Sequence, residues 1–231
     1  MPPPPSPLSL AGNLPMQLRW YIEDMADVLL FIIQYQPDAA EGVSSPLVEL
    51  LAWLLCAADR LKKPYLSAKL VEVLFCAHVA GCGSLSSRLL ALPRAQQRLG
   101  PALMRFYTDV ESTGAASEFY DKFTIRYHIS VLLKSLWERP HHREAILAEA
   151  SQGGRQFVRF VNMLMNDTTF LLDESLESLK RLHTGIEPAP GGGPSLPPAE
   201  LQSRRRQLAM DERQCRSYLT LARETVDTLH Y

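Results

Sequence analysis

The sequence predicts an all-α protein built as a layered helical solenoid, on three observations. The 17 prolines and 12 glycines collect in a few short stretches and leave long runs free of helix breakers. Within those runs the apolar residues recur at i, i+3, i+4 and i+7, the period of a helix with one buried face. No segment shows the sustained alternation, bounded by hairpin turns, that marks a strand.

Taken in order, the first helix is expected over Met16–Gln36, between Pro15 and Pro37. Leu47–Lys62 follows Pro46 and is apolar on more than one face, as is proper to a helix packed on two sides. Tyr65–Val79 starts after Pro64. Ser86–Leu92 and Ala102–Glu111 are shorter, with breaks expected at Pro93 and Pro101, because an interior proline removes an amide donor and clashes with the preceding turn. Ser117–Trp137 carries Phe119, Phe123, Tyr127, Val131, Leu132 and Leu136 at helical spacing, and His141–Ser151 is a short helix after Pro140. Arg155–His183 is expected to bury one stripe made of Phe157, Phe160, Val161, Leu164, Met165, Leu171, Leu172, Leu176 and Leu179, with Thr168 filling its gap. Ala199–His230 is the last helix. Residues 1–14 read as a disordered Pro-rich start, 15–187 as the helical core, 188–198 as a Pro/Gly linker and 199–231 as a further core helix. No residue-level repeat is visible, so the solenoid rests on helix number and length.

Composition narrows the function. Charged residues balance, 24 basic against 25 acidic, which gives no electrostatic case for nucleic acid or an anionic membrane. No run reaches the roughly 18 apolar residues of a membrane span, and the start has no basic segment ahead of an apolar one. Four cysteines in 231 residues make no disulfide framework, which suits a reducing compartment.

No reaction motif appears. Cys56, Cys76, His78 and Cys82 are the nearest approach to a zinc set. Structural zinc uses paired ligands, and two residues apart on a helix points Cys76 and His78 about 200° from each other. They read as core thiols and a helix-end histidine. His141 and His142 stand at a helix start without an HExxH pattern and read as solvated surface histidines. Cys215 lies between Arg213 and Arg216 with no histidine nearby, and reads as a packing or surface thiol. Arg204, Arg205 and Arg206 read as a solvated helix face. Phosphate-binding loops and nucleophile elbows are missing from the sequence. Asn162, Asn166, Asp167, Asp173, Glu174 and Glu177 give the longest helix a polar side. Asn166-Asp167-Thr168-Thr169 are four mediocre helix formers in a row, which calls for hydrogen bonds to a neighbouring helix or loop, or for a ridge that meets a partner. No catalytic, metal or cofactor-binding residue is assigned, and a binding or scaffolding role outranks an enzyme role.

Three stretches carry a resemblance: FYDKFTIRYHI at 119–129, FVRFVNMLMNDTTFLLDESL at 157–176, and QLA, DER and RSYL at 207–209, 211–213 and 216–219. Weaker similarity runs upstream through YIED at 21–24, KPYL at 63–66 and AKLVEV at 68–73. Together they resemble the core region of the ubiquitin chain-elongation factors, a family of U-box ubiquitin ligases, with the B-type animal branch nearest in kind. The resemblance implies an elongated core of armadillo-like helical repeats. It also implies a scaffold role in extending polyubiquitin on substrates bound for the proteasome, in cytoplasm and nucleus. The implied partners are a ubiquitin-conjugating enzyme, a ubiquitylated substrate and a segregase-type AAA ATPase. In the family a C-terminal U-box recruits the conjugating enzyme and needs no cofactor or covalent nucleophile. No U-box is recognisable here, so the expectation is a truncated core or a short form. That form would be inactive as a transferase by itself and would act as an adaptor or competitor for the same partners.

Overall fold

The computed structural model describes residues 16–57, 64–79, 83–110, 122–151, 154–186 and 198–231. Their regular structure is helical throughout, without a strand, in ten α-helices. These are α1 (Met16–Tyr35), α2 (Pro37–Glu41), α3 (Ser45–Cys56), α4 (Pro64–Val79), α5 (Gly83–Ala91), α6 (Pro93–Asp109), α7 (Lys122–Trp137), α8 (Pro140–Ser151), α9 (Arg155–Ile186) and α10 (Pro198–His230). The expectations placed on residues 1–14, on most of the 188–198 linker and on Cys82 lie outside the described residues.

Proline sets the helix starts. Pro37, Pro64, Pro93, Pro140 and Pro198 each open a helix, where the missing amide proton is one that has no partner anyway. Pro101 departs from this rule and from expectation. It sits inside α6, which starts at Pro93 and runs unbroken to Asp109. Two features make this tolerable. The residue before it is Gly100, which lacks the Cβ that would clash with the ring. Gln97, whose carbonyl loses its helical donor, is exposed.

The chain divides into two compact units within α9, one reaching Val161 and one of Asn162–His230. In the first unit, helices three apart in sequence lie against each other: α1 on α4, α4 on α7, α2 on α5, and α3 on α6. The first residues of α9 continue the pattern onto α6. Tyr107 meets Phe160 edge-on with ring centroids 5.3 Å apart, and Gln156 Nε2 donates to Thr108 Oγ1 at 2.9 Å. Helices one or two apart in sequence fill in between, with α6 on α7 and α7 on α8, and α3 on α5 and α6 on α8. Helix α4, between α1 and α7, buries Leu66, Ala68, Leu70, Val71, Val73, Leu74 and Ala77, which span more than half of its circumference. Each such Leu or Val side chain fully buried is worth about 1.5–3 kcal/mol against exposure.

Polar side chains tie helix ends to their neighbours. The last carbonyls of a helix have no amide donor within it and carry partial negative charge. Arg88 of α5 donates to Val43 O at 2.8 Å, to Glu41 O at 3.3 Å and to Ser45 Oγ at 3.2 Å, fastening the turn between α2 and α3. Arg126 of α7, only 2% exposed, donates from Nε to Tyr107 O at 3.3 Å near the end of α6, with its guanidinium 5.1 Å from the Tyr107 ring centre. Lys69 of α4 binds Asp27 of α1, with Nζ 2.7 Å from Oδ1 and 2.8 Å from Oδ2.

The same close packing makes Gly100 a test of the α6–α8 contact. A Cβ added there would lie 2.7 Å from Ile146 Cγ1 and 3.2 Å from its Cδ1. Alanine in a helix interior is worth about 1 kcal/mol over glycine, but overpacking typically costs 1–3 kcal/mol. Gly100→Ala is expected to lower the melting temperature followed by circular dichroism. In an Ile146→Ala background the same change is expected to cost less, with the remaining loss due to the Pro101 ring, and equal losses in both backgrounds would show that the clash is not with Ile146.

Candidate functional site

Among the described residues no three His, Cys, Asp or Glu side chains come together as a metal site. Cys76 and His78 are both half-buried on α4. Burial, aided by Glu72, raises the Cys76 thiol above its ordinary range. Burial pushes the Cys56 thiol up to about 11, against the opposing pull of Arg94 and Arg98, and its Sγ donates to Arg94 O at 3.7 Å. Thiols held this way are poor nucleophiles. Cys215 is buried on α10 and serves packing. Arg205 and Arg206 are exposed and Arg204 is half-buried, which fits the solvated face expected of them.

The histidines correct the sequence reading. His141 is exposed as expected, but His142 is 2% exposed. Its Nε2 lies 2.9 Å from Leu90 O in the last turn of α5. A carbonyl only accepts, so Nε2 carries the proton. Nδ1 is buried without a partner, and the ring is the neutral tautomer. Burial lowers its pKa, with Arg139 and His141 acting in the same direction. The sequence offered no warning, because Pro140-His141-His142 looks like any exposed helix start. His128 of α7 is stacked on Phe75 of α4 with centroids 4.0 Å apart, and burial lowers its pKa to about 4. These histidines join helices, and neither stands beside a nucleophile in the contacts described.

The long helix α9 is where the surface is unusual, and its stripes are not as expected. Phe160, Leu164 and Leu171 are buried, and the same face continues through Asp167, Ser175 and Ser178, all buried. Met165, Leu172, Leu176 and Leu179, expected in the core, are exposed, Leu172 by 43%. Asp167, expected on the polar side, is 6% exposed. The cause is the paired apolar positions Leu164-Met165 and Leu171-Leu172. Either member of each pair can head a stripe, and tertiary packing chose the first. The serines at 175 and 178 mark the chosen face, since small side chains let another element approach closely. Ser175 Oγ donates to Leu171 O at 2.6 Å, so its burial leaves the hydroxyl satisfied.

The two threonines of the polar run 166–169 are satisfied within the helix. Thr168 Oγ1 donates to Leu164 O at 2.8 Å and Thr169 Oγ1 to Met165 O at 3.0 Å. Asn162, Asn166, Asp173 and Glu177 are exposed, and Glu174 is half-buried.

What α9 offers to solvent is therefore mixed. Met165, Leu172 and Leu179 recur every seven residues, with Leu176 four beyond Leu172, and all are exposed. A seven-residue repeat keeps side chains nearly in line along a helix. Asn162, Thr169, Asp173 and Glu177 interleave with them. An apolar line rimmed by polar groups is the composition of a protein-binding surface, and it holds no acid, base or nucleophile arranged for a reaction.

The family described as the ubiquitin elongating factor core matches residues 3–231, and the chain belongs to that family. It is 34% identical over 235 residues to ubiquitin conjugation factor E4 of Schizosaccharomyces pombe, covering 96% of this chain and 23% of that protein. It is 30% identical over 230 residues to the E4 ubiquitin-protein ligase UFD2 of Saccharomyces cerevisiae, covering 92% of this chain and 24% of that protein. Ubiquitin conjugation factor E4 A of Rattus norvegicus is 28% identical over 236 residues, covering 92% of this chain and 22% of that protein. The chain thus spans about a quarter of the length of these relatives.

Two outcomes follow from the geometry. Leu164→Asp buries a charge and is expected to cost several kcal/mol, whereas Leu172→Asp and Asn166→Ala are expected to leave the thermal midpoint within a degree or two of wild type. Equal loss in Leu164→Asp and Leu172→Asp would mean that both stripes are core. The second concerns pH. His128 has a folded pKa near 4, below its ordinary 6.5, so the unfolded chain binds the extra proton first. Stability from this group is present above pH 6.5 and is lost as pH falls towards 4. Denaturant midpoints are expected to drop over that window. His128→Phe, which keeps the stacking surface, is expected to flatten the drop, and an unchanged slope would assign it to other groups.

Proposed function

We propose that this chain is scaffold core of a ubiquitin ligase that elongates polyubiquitin on substrates destined for the proteasome. In this reading transfer is catalysed through a U-box that binds the conjugating enzyme, and the core holds that enzyme's target in reach. The partners are a charged ubiquitin-conjugating enzyme, an already ubiquitylated substrate and a segregase-type AAA ATPase. Placement in cytoplasm and nucleus belongs to the same proposal. The family match over residues 3–231 carries it. The surface supports it from another side: α9 presents an apolar line with a polar rim, suited to holding a protein. A scaffold accelerates transfer by proximity and orientation, which needs surface rather than reactive side chains. The proposed architecture is armadillo-like. Its support is the stacking of helices three apart, α1 on α4 on α7 and α3 on α6, as in a three-helix repeat.

The test is competition. The purified chain is added in excess to a reconstituted reaction containing the full-length S. pombe E4 protein, its conjugating enzyme and a ubiquitylated substrate. A scaffold core that holds one of these partners is expected to slow chain growth in proportion to its concentration. Met165→Asp with Leu172→Asp is expected to abolish the effect while leaving the fold intact. Unchanged elongation at saturating wild-type chain would overturn the reading. Chain growth supported by this chain and the conjugating enzyme alone would overturn the assignment of catalysis to a U-box.

A further inference from the structure

Two Ser-Pro pairs occur in the sequence, Ser6-Pro7 and Ser45-Pro46, and the first lies outside the described residues. Ser45 opens α3 at the end of the non-helical segment 42–44 that follows α2. Ser44 is extended, with φ −64° and ψ 147°, and Ser44, Ser45 and Pro46 are all exposed. The first amides of a helix have no acceptor within it, and Pro46 has no amide proton. What holds this turn is Ser44 O, which accepts from the Leu47 and Val48 amides at 3.1 and 3.2 Å. Few bonds therefore break when the turn is drawn out. An exposed serine that ends an extended segment and is followed by proline is the form in which proline-directed serine kinases take their substrates.

A guanidinium from another helix sets Ser45 apart from an ordinary surface serine. Arg88 of α5, 43 residues on, donates from one terminal nitrogen to Ser45 Oγ at 3.2 Å. Its other terminal nitrogen donates to Val43 O at 2.8 Å and to Glu41 O at 3.3 Å. The half-buried side chain is thus held in place by backbone carbonyls, with a donor already on the hydroxyl. Toward a neutral hydroxyl that contact is weak. Toward a phosphate it becomes charge-assisted, and the planar fork of arginine matches phosphate oxygens. The start of α3, a helix of 12 residues, adds the positive end of its dipole. Glu41 and Glu49 oppose a negative charge here, but both are exposed and screened by water. Arg88 is in contact with Oγ and partly shielded, so it decides the sign.

We infer that Ser45 is a phosphorylation site for a proline-directed serine kinase, and that Arg88 receives the phosphate. In the transfer, Ser45 Oγ attacks the γ-phosphorus of a nucleoside triphosphate. The bond from that phosphorus to the β–γ bridging oxygen breaks, a nucleoside diphosphate leaves, and the hydroxyl proton passes to the kinase's base. The product carries roughly two negative charges at neutral pH and three strong acceptor oxygens. Paired with Arg88, it ties the start of α3 to α5 more strongly than the hydroxyl does, and so fastens the turn between α2 and α3. Pro46 sets the class of kinase, and Arg88 sets the structural consequence.

The test incubates the purified 231-residue chain with a mitogen-activated protein kinase and magnesium ATP, and maps phosphate by mass spectrometry. Phosphate is expected on Ser45, absent in Ser45→Ala and strongly reduced in Pro46→Ala. The phosphorylated chain is expected to melt about 2–4 °C above the unmodified chain. That rise is expected to vanish in Arg88→Gln and to shrink in high salt. Phosphorus NMR gives a reading that needs no variant. The second ionisation of the phosphate is expected well below that of a free phosphopeptide of residues 41–50, because the guanidinium favours the dianion. Phosphate confined to Ser6, or absent altogether, overturns the site. An ionisation equal to that of the peptide, or a melting rise that survives in Arg88→Gln, overturns the role of Arg88. None of these readings depends on ubiquitin transfer, so the inference fails or stands apart from the proposed function.

Discussion

A helix that is apolar on two sides has to be covered on two sides, and α4 is such a helix. Leu70, Val71, Val73 and Leu74 are successive or nearly so, and a helix turns 100° between neighbours, so no single partner can cover them. α1 takes one side and α7 the other. The remaining helices of the first unit follow from that choice. α3 and α5 lie against α4 as well, α6 lies on α3, and α8 closes on α6 where Gly100 leaves room for Ile146. The order of burial, rather than any long-range charge, organises the unit.

Within that apolar frame the polar groups act at helix ends. Arg88, Arg126 and His142 each donate to a carbonyl at or near the C-terminal end of another helix: the turn after α2, the end of α6 and the end of α5. Such carbonyls cost free energy if buried without a donor, so each contact both satisfies a backbone group and fixes where a helix stops against its neighbour. Arg126 and His128 both fall within the 119–129 stretch that carries the family resemblance, and in the fold both serve helix packing.

What the described helices present outward is surface. Burial raises the Cys56 and Cys76 thiols, and it lowers the pKa of His128 and His142 where they lie between helices. Apolar lines are left open on α9 and α1. Both are legible only after the structure has shown which of two possible stripes each helix buries.

By itself the sequence determined the class, most helix boundaries and the family. Helical periodicity and proline placement are local properties, and proline at a first turn leaves an unmistakable mark. The 157–176 stretch was recognisable for the same reason, being twenty ordered residues in one element. Three things were decided by tertiary structure alone. Pro101 stayed inside α6, where a glycine beside it and an exposed position before it removed the usual penalties. His142 went into the core because Leu90, 52 residues away, supplied an acceptor. α9 buried Leu164 and Leu171 rather than Met165 and Leu172, a choice that the equal spacing of the two pairs leaves open. The last two depend on what lies across a contact, and a periodicity read along one chain contains no information about the partner on the other side.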